Sequence, residues 1–399
     1  MKPILKISID PGYDAFKFVI DRTLITFSSK MLDVSNEEFG VDRRADGSYY
    51  IRLEDTVNNR VVDREYLIGD ATELTMHTAT FFEKNRSLLE SLQASAKFKE
   101  PIFAVLLRGA LGLALYLKEK EDAQSKKKNK FTLEKLAEGY YQVMIGVALP
   151  HDLVKDSKDS VKNALKCKHD FRIYVADDDK EIPINYDLGD AMFKFDSQVK
   201  CAFFYQYTDD EGYDEPDLND HLPCIVIDGG YHTFGHFLLT PLLTTEACKS
   251  NLTYAMSQVE TVVAAQIHTI TGRTDFAPHQ VKECIKSKKD IVYGKDRLKS
   301  ADIKKMHDDA VVNSAKASIK YIEKNMDLND AKSLLMTGGT GAAYFPTYKT
   351  IFEENFGDNL VPVLTDKPFY GQAIEPIFAV ALGLYKELEV EADKLNEEE

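Results

Sequence analysis

Two aspartates, each followed by a glycine–tyrosine turn, are the residues best placed to do chemistry. Residues 4–20 read ILKISIDPGYDAFKFVI and residues 222–239 read LPCIVIDGGYHTFGHFLL. Each copy is an apolar strand, then Ile-Asp, one residue, Gly-Tyr, two residues, Phe and a second apolar stretch. Asp10 and Asp228 each end a buried strand, where a carboxylate can meet water or the hydrate of a metal ion. Gly12 and Gly230 permit a tight turn and let backbone N–H groups approach a phosphate closely. A single D-x-G turn is common, but two similar copies about half a chain apart point to a shared task. A third element is LLMTGGTG, residues 334–341, a short strand running into glycines. Gly338, Gly339 and Gly341 there let a base or ribose lie against bare backbone, or simply start a helix. The P-loop ending Gly-Lys-Ser/Thr is absent, and no convincing G-x-G-x-x-G follows the first strand.

These residues need elements to hold them. The first turn lies between strands at 4–9 and 16–20, with a third strand at 24–28. Residues 30–80 read as a small inserted subdomain of strands, including SYYIRL and REYLIG. Residues 86–118 read as a helix, apolar almost all round at IFAVLLRGALGLALYL and therefore buried. The charged run KEKEDAQSKKKNK, 118–130, reads as a solvated helix end or loop. Residues 131–141 are helical in pattern, and QVMIGVALP is a buried strand ending at Pro150. FRIYV (171–175) and VKCAFFYQY (199–207) read as strands. The acidic loop TDDEGYDEPDLNDHL, 208–222, is the best candidate for a domain boundary. Residues 250–330 are largely helical, with a break at Thr271-Gly272. An amphipathic helix at 372–390 and an acidic tail close the chain. The domains expected are 1–220, completed by helix 372–390, and 221–371, with a helical subdomain at 250–330.

Length and composition bound the function. The chain has 399 residues, so two to three domains are expected. Hydrophobic residues make up 44% and charged residues 29%, as in a folded globular protein. Fifty Lys and Arg against 65 Asp and Glu give a net charge of −15, which argues against phosphate binding by the surface as a whole. No apolar run is long enough to span a membrane. The apolar N-terminal stretch meets Asp10-Pro11-Gly12 at once, so it reads as a strand rather than a signal peptide. The five cysteines are widely spaced and form no CxxC pair, which favours a reducing cytoplasm over a disulfide frame or zinc site. His232 and His236, four apart, lack the further ligands that a zinc ion needs.

In this order of motifs the chain resembles the superfamily of actin, sugar kinases and heat-shock ATPases, and within it the ParM-type bacterial actins that segregate plasmids. The resemblance spans nearly the whole chain: first hairpin, apolar strand ending Leu149-Pro150, second hairpin, glycine loop and closing helix. It implies an α/β, actin-like fold of two related domains, each a mixed sheet flanked by helices, with a nucleotide cleft between them. It implies ATP and Mg²⁺ as cofactors, with GTP left open as a second nucleotide. Asp10 and Asp228 would order the metal hydrate through water, and Asp228 would act on the attacking water as well. Lys17 would reach the phosphates; Gly12, Tyr13 and Asp14 would line the first turn. Gly229, Gly230, Tyr231, His232 and Thr233 would line the second. Here the chain departs from the family, because Tyr231 stands where a small residue is usual. Asp152, with His151 as the alternative, would position the hydrolytic water, although the family's acidic residue falls one place later, at Leu153. As a plain residue reading, Asp152 would cap a helix. Gly338, Gly339, Thr340 and Gly341 would flank the adenosine, and Tyr344 or Phe345 would edge the base or pack in the core.

The resemblance further implies a head-to-tail filament of this chain with itself, made dynamic by ATP hydrolysis. A small DNA-binding adaptor on a centromere-like plasmid site would be the partner, with no direct contact to nucleic acid or membrane. The setting would be the cytoplasm of a plasmid-bearing bacterium. A small-metabolite kinase of the same fold and a non-polymerising nucleotide-binding scaffold are the alternatives.

Overall fold

The structure, a computed structural model, describes residues 2–29, 31–33, 49–57, 60–69, 98, 101–126, 129–295 and 297–398. By its contacts the chain forms two compact units. The first comprises Met1–Cys201, Glu211–Tyr213 and Val380–Glu399; the second comprises Ala202–Asp210 and Asp214–Ala379.

The first unit opens with β1 (Ile4–Pro11), β2 (Ala15–Ile20) and β3 (Thr23–Ser28), an antiparallel meander. After β4 (Met31–Asp33), β5 (Tyr49–Val57) and β6 (Arg60–Ile68) come helices α1 (Pro101–Gln124) and α2 (Leu133–Ala137). Then follow β7 (Gln142–Leu149), α3 (Val154–Leu165), β8 (Lys168–Val175), β9 (Lys180–Asp187) and β10 (Met192–Ser197). One sheet has the order β10-β7-β1-β2-β3, with β7 parallel to β1 and to β10. The other has the order β4-β6-β5-β8-β9. The strands near 30–80 are therefore not a self-contained insertion, because β5 pairs with β8 from residues 168–175.

The apolar girth of α1 now has a cause. It lies along β2 and β3 of one sheet, while Gly109 and Gly112 let Ile51 and Phe171 of the other approach its backbone. A helix between two sheets has no solvent face over that length. The part of this helix expected at 86–97 falls outside the described residues. The charged run that follows α1's apolar stretch is not wholly solvated. Lys118 and Asp122 are buried and pair at 2.8 Å, and Asp122 also accepts from the Phe131 N–H at 3.1 Å. Of residues 131–141, only Leu133–Ala137 is α-helical, capped by Thr132.

The segment 199–207, expected as a strand, is instead helix α4 (Gln198–Tyr207). Val199, Cys201, Ala202, Phe203, Tyr205 and Tyr207 are all buried. A short apolar run buried on several faces carries no period to separate helix from strand.

The second unit repeats the first sheet. Strands β11 (Cys224–Gly229), β12 (Phe234–Leu239) and β13 (Thr245–Asn251) form its antiparallel meander. Helices α5 (Met256–Thr271) and α6 (Pro278–Lys286) follow, with Gly272 ending α5 at φ 70°. A small hairpin of β14 (Ile291–Tyr293) and β15 (Ser300–Asp302) then leads into α7 (Ile303–Asn325). Next come β16 (Ser333–Thr337), α8 (Gly338–Phe356) and β17 (Pro362–Leu364). The sheet order is β13-β12-β11-β16-β17, with β16 parallel to β11 and β17. Both central sheets thus have a three-stranded meander whose first strand pairs in parallel with a fourth strand, which in turn pairs in parallel with a fifth. The repeat seen in two short motifs is a repeat of the whole sheet.

The closing helix, α9 (Ala379–Glu398), starts later than expected and belongs to the first unit. It is stitched to β1: Ser8 Oγ donates to the Ala381 carbonyl and Lys6 pairs with Glu389 at 2.9 Å. Leu384 fills the place where a side chain on Gly146 of β7 would sit.

Candidate functional site

In parallel sheets of α/β units, ligands gather at the carboxyl ends of the strands. In the first unit three such ends meet. Asp10 ends β1, Pro150–Leu153 leaves β7, and Gln198 leaves β10. Asp10 is 4% exposed. Lys17, its register partner on β2, reaches Asp10 Oδ2 at 3.1 Å, and Gln198 Nε2 donates to Oδ1 at 2.8 Å. The carboxylate is therefore held from both sides, yet each oxygen keeps a second lone pair for a water. Gly12 donates its N–H to the Asp10 carbonyl at 3.0 Å, closing the turn. A Cβ on Gly12 would stand 2.6 Å from the Ala15 carbonyl oxygen and 2.7 Å from Lys17 Nζ. The ammonium thus rests over the bare turn, which only glycine leaves open.

Gln198 escaped the sequence reading because its segment was taken for a strand. The signal was present: a polar residue at the first position of a helix, directly after a strand parallel to β7. Asp152 is exposed and sits in the 3₁₀ turn His151–Leu153. It caps neither that turn nor α3. It does lie near the first hairpin, since burial first and the Asp152 charge second raise the Tyr13 phenol above its usual range. Asp14 lies in the same turn, where its carbonyl accepts from the Ser29 N–H at 3.0 Å.

In the second unit the same turn is held differently. Asp228 pairs across the sheet with Gly235 on β12 and with Thr337 on β16. Gly235 is therefore the counterpart of Lys17 in the second hairpin. The Gly230 N–H donates to the Thr233 carbonyl at 2.8 Å. The glycines 338, 339 and 341, with Thr340, form no free loop but the first turn of α8. That turn is pressed onto the hairpin. A Cβ on Gly229 would meet the Gly341 nitrogen at 2.3 Å, and one on Gly338 (φ 78°) would meet the Gly229 carbonyl oxygen at 2.4 Å. Thr340 Oγ1 donates to the Gly230 carbonyl at 2.6 Å. Gly229 and Gly338 serve backbone-to-backbone packing, whereas a Cβ on Gly339 or Gly341 would meet nothing nearer than 3.7 Å.

Tyr231 is drawn off the turn. Its hydroxyl meets the buried Glu260 carboxylate of α5 at 2.5 Å, Lys282 Nζ lies 4.8 Å from its ring centre, and its ring packs edge-on to His232. Thr233 and Gly229 leave their backbones at the turn. Of the two alternatives, a base contact or a core position, Tyr344 takes the core position in the structure. It is fully buried, with its hydroxyl bonded to Ser314 Oγ at 2.6 Å and to the Tyr254 carbonyl at 2.9 Å. It packs in the core beside Phe234 and offers no face to a ligand. His236 is also fully buried, facing Tyr321, and its ring nitrogens find no hydrogen-bond partner among the described residues. No group of three or more His, Cys, Asp or Glu among the described residues could hold a metal directly.

The two units share a five-stranded sheet, a D-x-G-Y hairpin at its centre and an aspartate at the strand end, and this duplicate layout matches solved structures over nearly the whole chain. The fold is actin-like. The actin-like protein Alp7A matches with TM-score 0.67 at 14% identity, covering 99% of this chain and 98% of that one. A subunit of a 15-stranded ParM filament from Clostridium botulinum matches at 0.62 and 16% identity, covering 98% of this chain and 100% of that chain. Ta0583, an archaeal actin homolog in complex with ADP, matches at 0.56 and 14% identity, covering 97% of this chain and 99% of that one. No protein-family model and no curated protein sequence matches this actin-like chain.

Magnesium fits the oxygen chemistry of the two actin-like hairpins when bound through its waters. Mg²⁺ keeps several waters and takes few carboxylates. Asp10 and Asp228 are two carboxylates at strand ends, and neither sits in a dedicated cluster of ligands. No described helix is long and apolar enough to cross a membrane.

Proposed function

We propose that this actin-like chain is an ATPase that binds Mg-ATP and assembles head to tail into filaments, which hydrolysis makes dynamic. Heterologous contacts that do not close build open helical filaments. The observation that carries the reading is the Asp10–Lys17–Gln198 constellation at the first D-x-G turn; the strand-end aspartate and the turn, without the lysine, recur at Asp228. It is supported by the neighbours' descriptions, one a ParM filament and one an ADP complex.

In this reading the backbone N–H groups of Gly12–Asp14 and Gly229–Thr233 face the phosphates, and Lys17 turns from Asp10 toward them. Thr340 and Gly339 stand beside the nucleoside. Bound Mg²⁺ would neutralise phosphate charge, with Asp10 and Asp228 accepting hydrogen bonds from its waters. Gln198, whose amide carries a donor and an acceptor, orients the attacking water; Asp152 is the second side chain proposed for that role. A carboxylate or amide at hydrogen-bond reach of water contributes about 10²-fold or more to such a step. The filament would move a plasmid through a small DNA-binding adaptor, since the chain itself carries −15.

The test is right-angle light scattering and pelleting after Mg-ATP is added, with phosphate release followed in parallel. A scattering rise above a critical concentration, lost in Asp10→Ala and Asp228→Ala, is expected. Gln198→Ala should assemble but release phosphate about 10²-fold more slowly, with a smaller deficit in Asp152→Ala. Phosphate release that requires a small acceptor, with no scattering, would overturn the reading in favour of a metabolite kinase.

A further inference from the structure

The β14–β15 hairpin and the helix before it form a basic pole on an acidic chain. From Arg273 to Lys305 there are ten Lys or Arg and five Asp or Glu, a surplus of five positive charges where the whole chain carries −15. A groove of about 650 Å³ runs beside this hairpin, with Lys289, Lys295 and Arg297 on its walls. These three are exposed, and none forms an ion pair with a described residue. The hairpin also exposes apolar surface: Leu298 is 87% exposed, Tyr293 56% and Ile291 53%. Cations interleaved with exposed apolar side chains suit a protein partner better than a bare polyphosphate.

The same chain carries a complement. Residues 209–220 hold seven Asp or Glu and no Lys or Arg. Glu211, Asp214, Asp217 and Asp220 are exposed, beside Tyr213 and Pro216. Within the loop Asp210 accepts from the Tyr370 N–H, Glu215 pairs with Lys367 and Asp217 meets His221 at 3.4 Å, while Glu211, Asp214 and Asp220 form no ion pair with a described residue. At Asp177–Asp179, Asp178 is engaged by Tyr116 and Lys120 and Asp179 by Tyr174. Glu387, Glu389 and Glu391 of α9 turn toward Lys6, Arg22 and Lys194.

We propose that the basic β14–β15 hairpin of one copy docks on the acidic 209–220 loop of the next copy. The contact joins two different surfaces, so it propagates rather than closes. It rests on the filament reading above and names a contact for it. Lys295 and Arg297 face the loop carboxylates, while Leu298 and Tyr293 meet Tyr213 and Pro216. Opposite fields speed the encounter and reject wrong orientations, and the contact weakens with salt.

A charge swap in the full-length protein tests it. Lys295→Glu with Arg297→Glu, and separately Asp214→Lys with Asp217→Lys, should each raise the critical concentration about tenfold or more, because like charges then meet. The four substitutions together should restore it to within about threefold of the parent. Melting temperature and binding of a fluorescent ATP analogue, unchanged in each variant, exclude misfolding. Assembly of either pair variant at the parent's critical concentration, or no recovery in the combined variant, overturns the proposal while leaving the filament reading intact. If the parent itself does not assemble, the filament reading fails. The docking is then read by carbodiimide cross-linking of mixed ¹⁵N-labelled and unlabelled copies at high concentration. A bond between the hairpin and the 209–220 loop of the other isotope upholds it, and absence of that bond overturns it. Salt-dependent binding of a DNA duplex that vanishes in the Lys295→Glu, Arg297→Glu variant would also overturn it, by identifying nucleic acid as the partner.

Discussion

The two D-x-G-Y hairpins share a turn and a sheet position, but they are held by different forces. The first is electrostatic. Asp10 is locked by Lys17 and Gln198, and a charged side chain lies over Gly12. The second is steric. Its counterpart of Lys17 is Gly235, and its turn is wedged by Gly229 against the first turn of α8. A duplicated motif can therefore keep its backbone while its side-chain work diverges. Charge organises the first hairpin, and close backbone packing organises the second.

The largest effect should come from breaking the steric half. Gly229→Ala puts a methyl group 2.3 Å from a backbone nitrogen, so strand and helix must separate. About 3 kcal/mol of stability should be lost, read as a drop in the urea midpoint at constant slope. Gly12→Ala should also cost stability, because its methyl group would stand 2.6 Å from the Ala15 carbonyl oxygen, a backbone atom, as well as 2.7 Å from the mobile Lys17 ammonium. Next is the electrostatic half. Lys17→Met should weaken nucleotide binding about tenfold or more by titration calorimetry, while the melting midpoint stays nearly constant. A melting loss comparable to that of Gly229→Ala would erase the contrast.

A smaller effect would sharpen it. His236 of the second hairpin occupies the place of Phe18 in the first. Burial holds its imidazole down to about 4. The unfolded chain, near 6.5, takes up the proton that the folded one refuses, so stability is full above about pH 6.5 and falls as pH drops towards 4. Each pH unit in that window removes about 1.4 kcal/mol. His236→Phe should flatten this slope in the stability of the protein between pH 7 and 5. His169 in the first unit, also held near 4 by burial, should leave a remaining slope.

The turns, the strand-end aspartates and the strands on either side of each turn were legible because strand period and glycine placement are local signals. The repeat at Asp10 and Asp228 carried the fold. Three features were not legible, each for a physical reason. Gln198 was hidden because a helix buried on several faces looks like a strand. Tyr344 could serve a ligand or the core, and the partners that bury it, Tyr254 and Ser314, come from distant segments. The glycines at 338–341 signalled close approach, but the sequence does not say whether ligand or protein backbone approaches. Here it is largely the backbone of the other turn.

The stitching of α9 onto β1 has a consequence during synthesis. Residues 380–398 emerge from the ribosome after every residue of the second unit. Until they arrive, β1 lacks the helix that receives Ser8 Oγ and Lys6, and Gly146 faces a gap. The second unit can fold first, and the strand bearing Asp10 is completed last.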